Sequence, residues 1–417
     1  MYWPLNTEDP QIMHIDLNSC FATVEQQARP LLRGRPVAVT NRKSKYSAVI
    51  AASYEAKALG VKVGMRADEA MSLAPGLIIT ETDPPKYHYV YQKLVGIMRS
   101  YSPYVVMKSI DEGIIDFHGT REVINKRSLE DIGREIKARL KGEVGSWMRC
   151  NVGIAPNRFL AKQAAGLHKP DGLDIINSSN LRTTFKTLKL TDLTGIAERN
   201  QARLNAAGIY TPLQFLDAPA EYLKRRVFHS VCGEDWHKRL RGWEVDDYES
   251  GTKTIGRQYV LEDVRLSEPE IDSRLSYLCE TTGLKLRAKN LCARGLYVYA
   301  KYTTGDFWYA RRMFKTTFYS TAEIYRRALL LFNERPELGN TQEIGVTCYA
   351  LEPSRDNQIS LLDDINQEVW LTQAIDRVNE KYGEFTMTYA TSFPSRDIVK
   401  QKIPFGSTRY FELLCQS

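Results

Sequence analysis

Asp111 and Glu112 are adjacent carboxylates set between two apolar runs, Tyr104-Val105-Val106-Met107 and Ile114-Ile115-Asp116-Phe117. In a continuous strand the two would point to opposite faces. At a tight bend both reach the same small volume, and Gly113 beside them supplies backbone freedom for one. Two carboxylates that close repel each other unless a cation lies between them. A hard divalent ion such as magnesium takes oxygen ligands and leaves positions for water or phosphate. An isolated Asp-Glu pair is most often a solvated turn. It becomes a metal site only with a third carboxylate and a set of phosphate-binding cations. Asp16 is the third carboxylate, at the end of an apolar run where an unpaired charge is costly. Tyr54 and Lys57, three apart, share one helical face and set a hydroxyl beside an ammonium, which suits a triphosphate. Arg158, Lys162 and Lys169, spaced by four and seven, read as one basic helical face for holding polyphosphate.

These residues need a scaffold. Residues 11–17 read as a strand that ends at Asp16, with Asn18 or Ser19 capping a helix after it. Strands follow at 36–40 and 48–52, joined by the basic loop 41–45, then a helix at 54–60 and an amphipathic, Tyr-rich helix at 86–101. After the 104–117 hairpin come a helix at 128–141, a strand at 150–155 and the helix that carries Arg158. The metal site requires strands 11–17 and 104–117 to lie side by side in one sheet. From about 178 the helices shorten, and 193–209 has the outline of a helix-hairpin-helix, whose turn amides contact nucleic-acid backbone. Ala197 stands where a second hairpin glycine is usual. Residues 246–253 are polar and read as a linker. Residues 255–351 give strand, helix, strand, strand, helix, strand, a ferredoxin-like order. Leu296, Val298 and Ala300 alternate there with Tyr297, Tyr299 and Lys301. Between 281 and 315, Lys285, Arg287, Lys289, Arg294, Lys301, Arg311, Arg312 and Lys315 face only Asp306. Such a sheet face suits duplex backbone. The extended segment Gln358 to Asp364 has the make-up of a peptide that docks in a partner's apolar groove. A tail helix at 367–382 sets Trp370, Leu371, Ile375 and Val378 on one face.

The composition fits this reading. The 417 residues allow two to four domains, and 43% hydrophobic with 26% charged residues is ordinary globular protein. A net charge of +7 favours an anionic partner. Seven cysteines without a CxxC pair argue against a zinc site or a disulfide framework and for a reducing cytoplasm. No apolar run approaches the roughly 20 residues that span a bilayer. No signal peptide is expected from the start Met1-Tyr2-Trp3-Pro4, which lacks a basic and then an apolar segment.

With these residues in hand the chain resembles the Y-family of lesion-bypass DNA polymerases, and among them the DNA polymerase IV branch. IDLNSCFATVE at 15–25 is similar to the first catalytic motif and SIDEGIID at 109–116 to the second. ASYEAKALGVKVGM at 52–65 is similar to the nucleotide-contacting fingers helix, and NRFLAKQAAGLHKPDG at 157–172 to the palm helix and its lysine. The resemblance implies an α+β multidomain, right-hand polymerase with palm (1–29 and 84–177), fingers (30–83), helical thumb (178–245), linker (246–253), ferredoxin-like little finger (254–356) and a clamp-binding segment with tail (357–417).

It also implies roles. Asp16, Asp111 and Glu112 would be catalytic and would bind two Mg²⁺ ions, with Mn²⁺ able to substitute and the Leu17 carbonyl as a further ligand. Phe21 would be the steric gate against a ribose 2′-hydroxyl. Tyr54, Lys57 and Lys169 would bind the incoming triphosphate; Arg158 and Lys162 are added from spacing alone. Gln358, Ser360, Leu361 and Leu362 would bind the sliding clamp. The expected activity is template-directed, low-fidelity addition of dNTPs to a primer by a cytoplasmic, monomeric protein with no membrane contact. Asn18, Ser19, Lys57, Gly113 and Ala197 depart from common family residues, and none is a catalytic carboxylate. Two rival readings are a non-catalytic DNA-binding accessory paralogue and a nucleotidyl cyclase. Retention of all three carboxylates argues against the first, the basic C-terminal region against the second.

Overall fold

The computed structural model describes residues 3–120, 127–248, 251–354 and 363–399, with side chains in the last span from 370. The chain divides into two compact units, one ending at Tyr248 and one running from Glu249 to Gln401. Among the described residues no helix is long and apolar enough to cross a membrane.

The first unit runs β1 (Ile12–Leu17), α1 (Cys20–Ala28), β2 (Val37–Thr40), β3 (Val49–Ala52), α2 (Tyr54–Ala58), α3 (Ala67–Leu73), β4 (Ile78–Glu81) and α4 (Pro84–Arg99). It continues with β5 (Val105–Met107), β6 (Glu112–Asp116), α5 (Leu129–Glu143), β7 (Cys150–Ala155), α6 (Arg158–Leu167) and β8 (Leu173–Ile175). Two sheets result, β5-β6-β1-β7-β8 and the smaller β3-β2-β4. The central strand β1 is covered on both faces, which is why it reads as an apolar run and not as an alternation. Met13, Ile15 and Leu17 join Leu94, Ile97, Ile132 and Ile136 in a core under α4 and α5. Ile12 joins Phe159, Leu160 and Ala164 of α6 on the opposite face. Side chains alternate along a strand, so His14 and Asp16 lie on the α6 side with Ile12.

β1 pairs antiparallel with β6 and sets Asp16 directly opposite Glu112. The required neighbour relation between the two strands is therefore met. The bend before β6 is closed by the amides of Lys108 and Ser109, both donating to the Glu112 carbonyl at 3.0 and 3.2 Å. Gly113 does not make that bend. It lies inside β6, where a Cβ would fall 2.6 Å from the Met107 sulfur and 2.8 Å from Met98 Cε. Its lack of a side chain serves packing, not turning.

Short helices complete the unit, among them α7 (Leu181–Thr187), α8 (Glu198–Ala206), α9 (Pro212–Asp217), α10 (Ala220–Tyr222), which runs on into a π-helical turn (Leu223–Phe228), and α11 (Cys232–Leu240). They gather around Trp236, whose ring lies 5.5 Å from Phe159 and 5.4 Å from Phe215. The turn before α8 has Gly195 at φ +89°, a conformation that favours glycine. The start of the chain is tied to the end of this helical group. Asn6 donates its amide to the Arg241 carbonyl (2.8 Å), and the Trp243 indole donates to the Pro4 carbonyl (2.8 Å).

The second unit runs β9 (Thr254–Val260), α12 (Glu268–Ala288), β10 (Leu291–Tyr302), β11 (Phe307–Phe318), α13 (Thr321–Phe332) and β12 (Thr341–Pro353). Its antiparallel sheet has the order β11-β10-β12-β9, the ferredoxin-like arrangement. Leu296, Val298 and Ala300 are buried with Leu275, Leu278, Ile324 and Leu331 of the two helices. The last helix, α14 (Asp363–Tyr382), and residues 383–399 fold back onto α12. Asp376 pairs with Arg287, Phe385 packs on Tyr277 at 5.2 Å, and Ser395 bonds Ser273 at 2.8 Å. The apolar face expected of this tail helix docks only in part. Trp370 and Leu371 are exposed, Ile375 and Val378 are half-buried, and Ile375 lines the contact with Leu284 and Arg287 beside Thr372 and Asn379. Polar pairs add to this packing, since Arg287, half-buried, takes its carboxylate from Asp376.

Candidate active site

The register of β1 and β6 builds the site. One ligand atom each of His14, Asp16 and Glu112 lie within 4.8 Å of one another. Asp111 stands just before β6, and its carbonyl accepts the Leu17 amide at 2.8 Å, which locks the turn against the end of β1. Its carboxylate accepts from the Ser109 hydroxyl. Burial pushes the Asp111 carboxyl above the ordinary carboxylate value, and the nearby charges of Asp16 and Glu112 push the same way, against the Ser109 bond. Burial also works to raise Glu112, but hydrogen bonds from His14 and Lys162 win and hold it at about 2.

The lysines close on this acidic centre from two sides. Lys162 on α6 reaches both Glu112 oxygens, at 3.0 and 2.8 Å. Lys169 reaches Asp16 Oδ2 at 2.7 Å. Arg158 lies apart: its guanidinium is 3.9 Å from Asp116 and 3.5 Å from Glu244. The three cations thus share no carboxylate, Lys162 serving Glu112, Lys169 Asp16, and Arg158 both Asp116 and Glu244, and they do not form one phosphate-holding face. The reason is local, since α6 ends at Leu167 and Lys169 falls beyond it. Two buried asparagines hold the Lys169 loop in place. Asn18 donates to Asn151 (2.9 Å) and accepts the Asp171 amide (2.8 Å), and Asn151 donates to the His168 carbonyl (3.0 Å).

Lys57 and Tyr54 lie on the Asp16 side. Lys57 Nζ is 2.8 Å from the Ser19 hydroxyl and 4.9 Å from the Tyr54 ring centre. Burial first, and then the neighbouring Lys169 charge, holds the Lys57 ammonium below its usual range. Two ammoniums that feel each other in this way make a receptor for an anion. Phe21 is buried and stacks on Tyr87, with ring centroids 4.3 Å apart and planes 17° from parallel. The Tyr87 hydroxyl donates to buried Glu25 at 3.1 Å.

On the other side of Glu112, a cavity of about 710 Å³ opens between α6 and the turn before α8. Lys108, Arg158, Lys162, Arg203 and Arg239 line it together with Thr194 and Gly195. The turn before α8 thus shares a cleft with His14 and Lys162, the two residues that bond Glu112, and with Asp246 among its cations.

Asp16, Leu17, Asp111, Glu112, Lys162 and Lys169 come together, and Phe21, Tyr54 and Lys57 border them. Gln358, Ser360, Leu361 and Leu362 lie outside the described residues. The sequence reading missed His14, whose Nε2 is 3.2 Å from Glu112. The signal was available, because residues two apart on a strand share a face. The donor set suits divalent cations: burial and then two neighbouring carboxylates raise Asp111, and two ammoniums already neutralise Asp16 and Glu112.

The family model described as "impB/mucB/samB family" matches residues 15–166, and "impB/mucB/samB family C-terminal domain" matches 252–361. A DNA polymerase IV of Pelotomaculum thermopropionicum is 31% identical over 402 residues, covering 94% of this chain and 97% of the relative. A DNA polymerase IV of Moorella thermoacetica is 32% identical over 406 residues, covering 94% and 98%. A solved Y-family DNA polymerase chimera built on Dbh superposes with TM-score 0.67 at 25% identity, over 81% of this chain and 98% of the other. An insertion ternary complex of Dbh DNA polymerase gives TM-score 0.54 at 25% identity, with the same coverage.

Proposed function

Because the chain belongs to the impB/mucB/samB family and is a translesion DNA polymerase of the Y-family, resembling the bacterial DNA polymerase IV branch, we propose which of its residues carry the reaction. The five-stranded sheet with α4–α6 serves as palm, the three-stranded sheet as fingers, helices α7–α11 as thumb and the ferredoxin-like unit as little finger. Activity depends on divalent metal, as in the family at large; Mg²⁺ is the ion we assign, two per site, with Mn²⁺ as substitute. Asp16, Asp111 and Glu112 hold them, with the Leu17 carbonyl as a further ligand. Bound there, divalent ions lower the pKa of the primer 3′-hydroxyl and offset the charge that develops on the triphosphate.

The protein's own groups do the rest. Lys57 and Lys169, with the Tyr54 hydroxyl, bind the triphosphate on the Asp16 side. Lys162 neutralises Glu112 until metal is bound. Phe21, backed by Tyr87, fills the space of a ribose 2′-hydroxyl. The observation that carries this reading is the pairing of Asp16 with Glu112 in register, with Asp111 fixed to the end of the same strand. Primer extension on a primed template tests it. Asp111→Ala and Glu112→Ala should each lose activity by about a thousandfold or more, and full activity in either would remove these residues from the mechanism. The accessory-paralogue reading is not favoured.

We further assign primer-template DNA and dNTP as substrates and a sliding clamp as partner, through Gln358, Ser360, Leu361 and Leu362. Tethering to a clamp raises effective concentration on DNA without adding a contact to it. Replacing Gln358, Leu361 and Leu362 with Ala should weaken clamp binding about tenfold or more in a surface-binding assay, and unchanged affinity refutes the assignment. We read the protein as a monomer of the cytoplasm, which sedimentation velocity and cell fractionation check.

A further inference from the structure

Lys169 reaches the acidic centre from outside any helix. α6 ends at Leu167 and β8 starts at Leu173, so the lysine stands on the connection between them. A long, rotamer-rich side chain is used at a fixed place only when its root is fixed. Two asparagines supply that root. The Asp171 amide donates to Asn18 Oδ1 (2.8 Å), Asn18 Nδ2 donates to Asn151 Oδ1 (2.9 Å), and Asn151 Nδ2 donates to the His168 carbonyl (3.0 Å). The relay thus starts just after Lys169 and ends just before it. Both side chains are buried, Asn18 at 2% and Asn151 at 0% exposure. Both also stand beside the metal-binding strand: Asn18 follows Asp16 by two residues, and Asn151 is the cross-strand partner of Asp16 in the β1–β7 register.

The polarity of the relay dictates its members. A backbone amide can only donate and a backbone carbonyl can only accept. A relay from one to the other therefore needs side chains that accept on one atom and donate from another. A carboxylate in place of Asn18 would turn an oxygen onto Asn151 Oδ1. If Asn151 turned over to answer it, the His168 carbonyl would lose its donor. In a buried place an unmade bond of this kind is costly. The other supports of the loop are weaker. Asp171 is held from α5 by Lys141 (2.9 Å) and Lys137 (3.4 Å), ion pairs that are partly open to water. Packing alone would be served by any two side chains of the right size, whereas bonds of fixed direction that bracket Lys169 set where its ammonium stands, 2.7 Å from Asp16 Oδ2.

We propose that Asn18 and Asn151 are positioning residues for the incoming nucleotide: together they hold the Lys169 ammonium against Asp16 and so fix where the triphosphate of a dNTP is bound. This rests on the assignment of Lys169 to the triphosphate, and it gives the asparagines an effect through Lys169 and not through a contact of their own. A misplacement of the charged group by about 1 Å is enough to cost binding and rate heavily, and the relay is what stands between Lys169 and such a displacement.

The test is single-nucleotide insertion kinetics of the full chain on a primed template with Asn18→Leu and Asn151→Leu, both uncharged and close to the native size. Each should raise the dNTP KM about tenfold or more and change primer-template affinity by less than about twofold. In a Lys169→Ala background, Asn151→Leu should add less than about twofold to the KM, because the group it acts through is gone. Full additivity in that background overturns the proposal. So does an unchanged KM in both single variants, or a loss of primer-template affinity as large as the rise in KM, which would make the pair a general support of the fold. Hydrogen exchange of the chain without DNA separates the relay from the reading beneath it. Exchange across residues 168–172 should quicken in Asn151→Leu and stay unaltered within α6, and unaltered exchange in 168–172 overturns the relay. Quickened exchange with a dNTP KM that Lys169→Ala leaves unchanged would count against the triphosphate assignment of Lys169 and not against the relay.

Discussion

Phe21, the ring we assign as the gate, is held from behind. It is stacked on Tyr87, whose hydroxyl is fixed by a carboxylate that is fully buried. A gate of this kind discriminates by bulk, and a missing ring leaves room for a hydroxyl. Phe21→Ala should raise ribonucleotide incorporation relative to deoxyribonucleotide by about tenfold or more, read by single-nucleotide insertion kinetics. An unchanged ratio would take the gate away from Phe21. At this scale the sequence was most legible where burial makes a residue type costly. Asp16, Asp111 and Glu112 could be found because a carboxylate at the end of an apolar strand needs a reason to be there. His14 could not be found on the same logic, since a histidine between Met13 and Ile15 reads as core. Only the strand period, two residues from Asp16, connects it to the acidic centre. Lys162 and Lys169 were legible as cations, but their partners were not, because spacing along a helix says nothing about which carboxylate the next strand presents.

At the scale of elements, α6 is set by contact with β7 and not by its own sequence. Gly153 lies under the helix so closely that a Cβ would sit 2.0 Å from the Ala161 carbonyl oxygen and 2.2 Å from the Ala165 amide. Backbone cannot yield as a side chain can. Gly153→Ala should therefore push α6, and with it Lys162, away from Glu112, at a cost of about 3 kcal/mol. Urea unfolding measures the loss, and a difference under about 0.5 kcal/mol would show that the helix is free to shift. The run of strands and helices in the ferredoxin-like unit was readable from period and length. The tail was not. Of its apolar stripe Ile375 and Val378 are half-buried but Trp370 and Leu371 are exposed, and the pairing of Asp376 with Arg287, 89 positions earlier, could not be read from spacing. Gly113 was misread for a related reason: a glycine beside a turn resembles a glycine in it, and the methionines that crowd it come from elsewhere in the chain.

Stability at the scale of the molecule carries the mark of one buried cation in the second unit. Burial, with the Arg257 charge adding to it, brings the Lys285 ammonium from 10.5 down to about 8. The folded state thus favours the neutral amine. Its contribution is fully present above pH 10.5 and lost as pH falls through about 8, so at neutral pH the unit carries an ammonium at a cost. Lys285→Met should stabilise the unit at pH 7 by about 1–2 kcal/mol, discounted for partial solvation. The gain should shrink as pH rises from 8 towards 10.5, as followed by thermal unfolding across that range. An equal gain at both ends would assign the effect to packing alone. The division into two units was foreshadowed by the polar stretch after residue 245, whereas nothing in the sequence announced that residues 3–6 return to residues 241–243. That strap has a topological consequence. Residues 4–6 and 241–243 of the first unit are tied at one place, so the two ends of its described chain lie close together. Cutting the chain after Tyr248 severs no strand or helix of the first unit, and a circular permutant joining the two ends would need only a short bridge.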